Sequence, residues 1–362
     1  MLATSGHKPF DTRIFHKEAL SLHQNGFKVS IIIPHEKDLT QEGIDIISVP
    51  SPPNGYQKLL ITPLLVFFKA LRQNRKAVYH VHDSELLFIS LLLKLLGRKV
   101  IYDAHEDTPL QIEYQHWLPG WLKWPYKWFY YWLEKLCGKI FTAVIVAEPI
   151  IARYFPPNTT TLVRNFPIYQ TFQRIPIPPY VQRKNWLIYT GLISEVRGVK
   201  QMIGAVKKAR EKQDFEFMVV GFFAPKHLEH EVLAHQEVNY TPWLPYHEML
   251  KQLFQSKIGI IIPNPVKRYN TNYPVKMFEY MAAGLPVIGS KHAEAAEFIR
   301  ECKGGILVDP LDEQEISLAI VELFSNSQRA QAMGERARKM ISEKYNWEQE
   351  SQKLLSLYDR LL

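Results

Sequence analysis

The strongest constraint on the fold is an alternation of short β-branched runs with longer helical segments, which occurs twice along the 362 residues. In the first half, runs such as Lys28–Pro34, Ala77–His82 and Lys99–Asp103 predict strands. The alternation restarts in the second half, where Trp186–Tyr189 and Phe215–Val220 predict strands. Strands separated by helices of this length form parallel sheets with helices on both faces. We therefore expect two doubly wound α/β domains.

A proline-rich stretch sets the expected domain boundaries. Proline fixes φ and donates no backbone hydrogen bond, so residues 166–182, which include Ile175–Pro179, are predicted to be a linker. The linker would separate an N-terminal domain, residues 1–165, from a C-terminal domain, residues 183–347. Only Met1–Ser5 precede the first polar loop, so either the first strand is very short or the sequence starts inside it.

Composition indicates a soluble protein and argues against several functional classes. The hydrophobic share is 46% and the charged share is 22%, which is ordinary for a protein with buried cores. The net charge of +8 favours anionic partners, but no nucleic-acid-binding motif accompanies it. Cys137 and Cys302 are too few for a disulfide framework or a structural zinc site. His80 and His82 could chelate a metal, but the sequence shows no third ligand, so we expect neither metal nor cofactor.

The sequence contains no signal peptide and no apolar stretch of about 20 residues, so the expected location is the cytoplasm. Residues 116–135 are unusual because tryptophans alternate there with lysines: Trp117, Trp121, Trp124, Trp128 and Trp132 with Lys123, Lys127 and Lys135. This pattern suits a bilayer interface and predicts peripheral contact with the inner face of the cell membrane. It suits equally a helix that packs on the domain core or on a partner subunit.

Ligands of open parallel sheets bind beyond the carboxyl ends of the strands, and the cleft between two such domains is the expected site. In the first half, the polar candidates that follow predicted strands are His7, Asp11, Arg13, His82, Asp83 and His105. His105 stands between acidic residues after an apolar strand, which favours a substrate contact. Asp11 and Asp83 are also suited to capping the helices that follow them, so both roles stay open.

In the second half, two cations stand at the starts of predicted helices. Arg197 precedes the helix Val199–Gln213, and Lys276 lies in the first turn of the helix Lys276–Ala283. A cation there opposes the helix dipole unless an anion is bound, and a phosphate would resolve the conflict. Glu279 lies on the same face as Lys276 and can accept hydrogen bonds from a ribose diol. The alternatives are an exposed arginine and an internal Lys–Glu pair.

With these residues identified, the chain resembles the family-4 retaining glycosyltransferases of the GT-B fold over nearly its full length. Within that family it is similar to a bacterial subgroup that builds surface polysaccharides. The most specific match is Pro274–Ile288 (PVKMFEYMAAGLPVI). Supporting matches are Phe10–Ala19, His80–Glu85, Tyr102–Glu106 and Tyr345–Trp347.

The resemblance implies two Rossmann-like domains that face a cleft, with the last helix, residues 348–362, crossing back to the N-terminal domain. It implies that Glu279 holds the donor ribose, that Arg197 contacts the pyrophosphate and that His105 lies near the transferred sugar. The loop Gly6–Arg13 is expected near the donor phosphate and the acceptor. The other donor contacts expected are Gly191, Thr271 and Asn272.

The sequence departs from the family pattern at two positions. Thr271 stands where the family often has a first glutamate, and Leu192 stands where it often has an arginine. We infer that Lys276 supplies the missing charge. The expected activity is retaining transfer from a UDP- or GDP-sugar to a glycan or lipid-linked acceptor, in polysaccharide or glycoconjugate biosynthesis. The alternatives are a GT-B nucleotide-sugar epimerase and a non-catalytic nucleotide-sugar-binding subunit.

Overall fold

The structure is a computed structural model, which describes residues 1–50, 55–114, 118–266, 271 and 273–362, with the backbone alone at 55–59. The chain divides into two compact units, residues 1–165 with 347–362 and residues 166–346. Each unit has a mostly parallel sheet with helices, which confirms the predicted fold class. None of the helices in the described part of the chain combines the length and apolarity of a bilayer span.

The described strands of the first unit form one eight-stranded sheet of order β3-β4-β2-β1-β5-β6-β7-β8. These strands are β1 Leu2–Ala3, β2 Ser30–Pro34, β3 Leu39–Gln41, β4 Ile44–Val49, β5 Val78–Val81, β6 Lys99–Ala104, β7 Ala143–Val146 and β8 Thr160–Leu162. All neighbours are parallel except β3 and β4. The two-residue β1 lies in the middle of the sheet, so the loop after it starts at the centre of the carboxyl edge.

The helices of the first unit are α1 Leu20–Gln24, α2 Gly55–Leu71, α3 Leu87–Leu95, α4 Thr108–Glu113, α5 Gly120–Ile140 and α6 Pro149–Ala152. The segment Thr12–Ala19 is a π-helix. Its wider turn begins where the backbone N–H of His16 donates to the carbonyl of Asp11 at 3.3 Å. The same geometry directs Arg13 and Glu18, five residues apart, into the interior together.

The last helix belongs to the first unit, as the fold class predicts. It runs over Trp347–Leu361, and the indole N–H of Trp347 donates to Ser21 at 2.8 Å. Glu350 accepts from the backbone N–H of Arg164 at 2.9 Å, and Tyr358 hydrogen-bonds to His80 at 3.0 Å. These contacts fix the helix along its whole length.

The described strands of the second unit form a parallel sheet of order β11-β10-β9-β12-β13-β14. The strands are β9 Trp186–Ile193, β10 Glu216–Phe223, β11 Val238–Pro242, β12 Ile258–Ile261, β13 Val287–Ser290 and β14 Gly305–Val308. The helices are α7 Tyr169–Gln173, α8 Val199–Arg210, α9 Leu228–Leu233, α10 Tyr246–Gln255, α11 Val275–Ala282, α12 Ala296–Cys302, α13 Glu313–Ser325 and α14 Ser327–Glu343.

Residues 166–182, predicted as a linker, pack on the second unit instead. Phe166 and Phe172 are buried in its core, and the ring of Phe166 lies 4.7 Å from that of Phe278. Buried aromatic side chains hold a segment in place. The prolines therefore shape a packed segment of this unit rather than a free connection.

Candidate functional site

The side chain of Lys276 is the most unusual cation of the second unit. It lies in the first turn of α11, and its Nζ is buried without a hydrogen-bond partner among the described residues. Burial, and then the nearby Arg197, lower the pKa of Lys276 from 10.5 to about 7, and Glu279 offsets this only in part. A buried, unpaired ammonium is costly, so this position favours an anionic ligand.

Glycines shape the backbone around the two cations. Gly191, at the carboxyl end of β9, has a φ of 104°, and a Cβ there would collide with the ammonium of Lys276. Gly198 has a φ of 82° and separates the turn that carries Arg197 from α8. A Cβ on Gly198 would meet the carbonyl oxygen of Ile262. Both positions therefore require glycine. The side-chain nitrogen of Lys276 packs against Gly191, and Arg197 directly precedes Gly198 at the start of α8.

Glu279 lies one turn beyond Lys276 and is 9% exposed. Burial and the hydrogen bond to Glu279 raise the pKa of Tyr246, the first residue of α10. Sequence reasoning missed Tyr246 because α10 was not predicted, although Pro245 before it is a helix-start signal. Of the remaining predicted donor contacts, Thr271 is half-buried, and Asn272 lies outside the described residues.

In the first unit, Asp83 organises the loop after β1. Its Oδ2 accepts hydrogen bonds from the Thr4 hydroxyl at 2.5 Å and from the backbone N–H of Ser5 at 2.6 Å. Among the described residues, the Asp83 side chain makes no capping hydrogen bond to the 3₁₀ turn Ser84–Leu86 that follows it. Asp83 therefore holds the loop rather than capping that turn. Asp11 does cap, because it accepts from the backbone N–H groups of Arg13 and Ile14.

Two imidazoles with opposite protonation tendencies lie side by side at this edge. His7 stands 3.3 Å from Asp11 and 3.4 Å from Asp83. Burial alone would lower the pKa of His7, but the hydrogen bond to Asp11 and the charge of Asp83 raise it to about 9. The ring of His105 lies 5.2 Å from that of His7, and burial lowers its pKa despite the nearby Asp103. The two residues therefore place a cationic and a neutral imidazole side by side, a pair that can hydrogen-bond a hydroxyl group.

Arg13 and His82, predicted as substrate contacts, lie in the interior beneath this loop, at 4% and 2% exposure. The guanidinium of Arg13 donates to Asp103 at 2.8 and 3.1 Å and lies 3.0 Å from Glu18. Burial opposes ionisation of Asp103, but Arg13 holds its pKa well below the ordinary value. Burial, together with Asp103, raises the pKa of Glu18 well above its ordinary value. Arg13 and His82 therefore support the site from within.

Both halves of the chain match models of known families. Residues 174–340 match the family described as glycosyl transferases group 1, and residues 13–157 match glycosyltransferase family 4. Each match lies within one unit. The match to glycosyl transferases group 1 includes Arg197, Lys276 and Glu279 of the second unit.

Similar proteins include glucosyltransferase 3 of Streptococcus gordonii, 34% identical over 117 residues, which are 31% of this chain and 34% of that protein. The chain aligns with less than half of the length of each curated relative. Among solved structures, sucrose-phosphate synthase of Thermosynechococcus elongatus matches with a TM-score of 0.73 and 16% identity, over 99% of this chain and 98% of that one. The structure of Anabaena HepE in complex with UDP-glucose matches with a TM-score of 0.72 and 12% identity, over 99% of each chain. At these identities the structural matches show the GT-B fold.

Proposed function

We propose that this chain, both halves of which match glycosyltransferase families, is a glycosyltransferase that moves a sugar from a nucleotide-sugar donor to an acceptor. The observation that carries the proposal is the buried Nζ of Lys276, which has no hydrogen-bond partner within the described residues and whose pKa the nearby Arg197 helps to lower. Two neighbouring cations repel each other, and a diphosphate between nucleoside and sugar would neutralise both. The second unit is therefore the donor-binding half.

The chemical task is to stabilise the departing nucleoside diphosphate. Preorganised cations and helix N-termini stabilise developing negative charge, and Lys276 and Arg197 both lie at such positions. We propose that these groups, rather than a metal ion or a cofactor, neutralise the leaving group. We also propose retention of anomeric configuration, with the departing phosphate helping to deprotonate the acceptor. We propose a UDP- or GDP-sugar as the donor.

A large apolar surface of the first unit supports a lipid-linked acceptor. Five aromatic side chains of α5 are exposed: Trp121, Trp124, Trp128, Phe129 and Trp132. They extend from a helix whose opposite face, with Tyr130 and Cys137, is buried. Helix α3, which packs against α5, exposes Phe88 and Leu95, and α2, which packs against α3, exposes Phe68. Such a surface, with lysines among the tryptophans, fits an anionic bilayer interface. His116 and Trp117 lie outside the described residues.

We expect the protein to float with vesicles that contain phosphatidylglycerol and not with vesicles of phosphatidylcholine alone. Burial of a large apolar side chain contributes about 1.5–3 kcal/mol. The double substitution Trp121→Ser and Trp124→Ser should therefore lower the vesicle partition coefficient by at least about tenfold. Trp243→Ser, at an exposed position of the second unit, is the matched control and should bind normally. Absence of flotation at low salt rejects membrane docking, and a tryptophan-dependent dimer in solution would assign the surface to a partner subunit instead.

Glu279 should recognise the donor ribose. A site that hydrogen-bonds a hydroxyl rejects analogues that lack it, because its buried polar group is left unpaired. We expect the wild-type protein to prefer UDP over 2′,3′-dideoxy-UDP, and Glu279→Gln to lose most of that preference while keeping its fold. Calorimetric titration of both nucleotides measures this, with Glu211→Gln, an exposed position, as control. An unchanged preference in Glu279→Gln would remove the carboxylate from the ribose site.

A panel of UDP- and GDP-hexoses, each incubated with the protein and a bacterial polar-lipid extract, tests the proposed activity. Release of free nucleotide together with a glycosylated lipid supports transfer, and the anomeric proton of the product reports retention. Epimerised donor sugar would support the nucleotide-sugar epimerase instead. Binding without turnover would support the non-catalytic subunit.

A further inference from the structure

A second polar cluster lies below the loop of the first unit. It consists of the side chains of Glu18, His80, His82 and Asp103, which we call the buried quartet. All four side chains are at most 2% exposed. One potential ligand atom from each residue lies within 4.8 Å of those of the other three. The sequence did not predict this site because Glu18 is distant in the chain and reaches the two histidines only through the π-helix.

The quartet contains an unusual concentration of unsatisfied polar atoms. Oε2 of Glu18, Nε2 of His80 and Nε2 of His82 are buried with no hydrogen-bond partner in the described part of the chain. Oε1 of Glu18 lies 3.0 Å from Nε of Arg13, and Nδ1 of His82 lies 3.4 Å from Oδ2 of Asp103. An unsatisfied buried donor or acceptor costs about 1–3 kcal/mol. Such atoms are rare in folded proteins, and several at one point indicate a site that can bind an ion.

The distances fit a metal ion. Oε2 of Glu18 lies 3.9 Å from Nε2 of His80 and 3.6 Å from Nε2 of His82. Nε2 of His80 lies 4.0 Å from Oδ2 of Asp103. In a tetrahedral site with bonds of roughly 2.1 Å, neighbouring ligand atoms are about 3.4 Å apart. Since the separations within the quartet extend to 4.8 Å, the most distant ligand atoms would have to approach each other by about 1.4 Å for all four to reach coordination distance.

The surroundings of the quartet resemble a second coordination shell. Nδ1 of His80 hydrogen-bonds to Tyr358 at 3.0 Å, which leaves Nε2 directed towards Glu18. Arg13 holds Asp103 through two nitrogens and lies beside one oxygen of Glu18, so the other oxygen stays available. Hydrogen bonds of this kind orient metal ligands. The guanidinium neutralises one carboxylate, and a dication would neutralise the other.

We propose that the buried quartet is a structural site for one divalent transition-metal ion of the zinc type. Two imidazoles and two carboxylates are ligands that Zn²⁺ accepts in tetrahedral geometry. The ion would join the π-helix, the end of β5 and β6, and, through Tyr358, the last helix. Because the quartet is buried, the ion would stabilise the loop Gly6–Arg13 above it rather than contact the substrate. The inference does not depend on sugar transfer, since its test measures metal binding alone.

Metal analysis of the full chain, purified without chelators, tests the proposal. We expect about one equivalent of metal per chain, or uptake of one equivalent of added Zn²⁺ with a rise of several degrees in melting temperature. Replacement by Co²⁺ should give the visible absorption of a tetrahedral site in the wild-type protein, so this readout needs no variant. His82→Leu should lose both signals, whereas His247→Leu, at an exposed position, should keep them. Absence of metal uptake and of a Co²⁺ spectrum, or full retention of both in His82→Leu, would overturn the site.

Discussion

Lys276→Met weakens the binding of a nucleoside diphosphate by roughly 10- to 150-fold, because a hydrogen bond to a charged group contributes about 1.5–3 kcal/mol. The same change raises the melting temperature, since it replaces a buried ammonium that lacks a partner among the described residues with an apolar side chain of similar length. Each kcal/mol gained corresponds to about 2–4 °C for a unit of this size. Calorimetric titration with UDP and GDP, together with thermal melting, measures both effects.

The opposite signs of these two effects distinguish a binding role from a folding role. A variant that misfolds loses affinity and stability together. Lys212→Met, the same substitution at an exposed position of the second unit, should change neither quantity. If Lys276→Met keeps full affinity for both nucleotides, Lys276 is not the anion-binding cation that we infer.

Arg13→Met lowers the free energy of unfolding of the first unit by about 3–5 kcal/mol, which is the usual cost of removing one partner of a buried ion pair. Arg13 is buried, and its loss leaves the carboxylates of Asp103 and Glu18 without their guanidinium. Chemical denaturation reports the unfolding of this unit when tryptophan fluorescence is followed in a Trp186→Phe, Trp243→Phe background, because the remaining tryptophans belong to the first unit. A matched change in affinity for UDP is not expected, because the donor groups lie in the second unit.

Arg72→Met provides the control for charge and size in the same unit. Arg72 is exposed, so its replacement should change stability by no more than about 0.5 kcal/mol. Equal effects of Arg13→Met and Arg72→Met would show that the buried ion pair contributes little to stability. The interior position of Arg13 would then need another explanation, such as selection of a single fold.

The strands that the sequence predicted are those with clear apolar patterns. Strand β7 is buried along its whole length and β6 from Val100 onward, so both contain continuous apolar runs. The missed strands β3, β8 and β11 lie at sheet edges and are short and largely polar. Edge strands have fewer buried side chains, so their sequences carry little periodic signal.

The candidate site shows the same division. The helix-start positions of Lys276 and Arg197 could be predicted because a cation there conflicts with the helix dipole in any sequence, and helical spacing places Glu279 near Lys276. Their roles as donor contacts stay a prediction. The interior positions of Arg13 and Glu18 could not, because they depend on a π-helical turn whose spacing differs from that of an α-helix. The local sequence does not distinguish an arginine and a carboxylate that are exposed on a surface helix from a pair that is buried.

The most direct test of the donor site is the number of protons taken up when UDP or GDP binds. The pKa of about 7 makes Lys276 largely neutral at pH 8, and a bound diphosphate would raise that pKa. Affinity should therefore be steady below pH 7 and fall above it. Calorimetry at pH 8, in buffers of different ionisation enthalpy, should report uptake of about one proton by the wild-type protein and none by Lys276→Met. Binding without proton uptake at pH 8, or no binding of either nucleotide, would contradict a donor site built on Lys276.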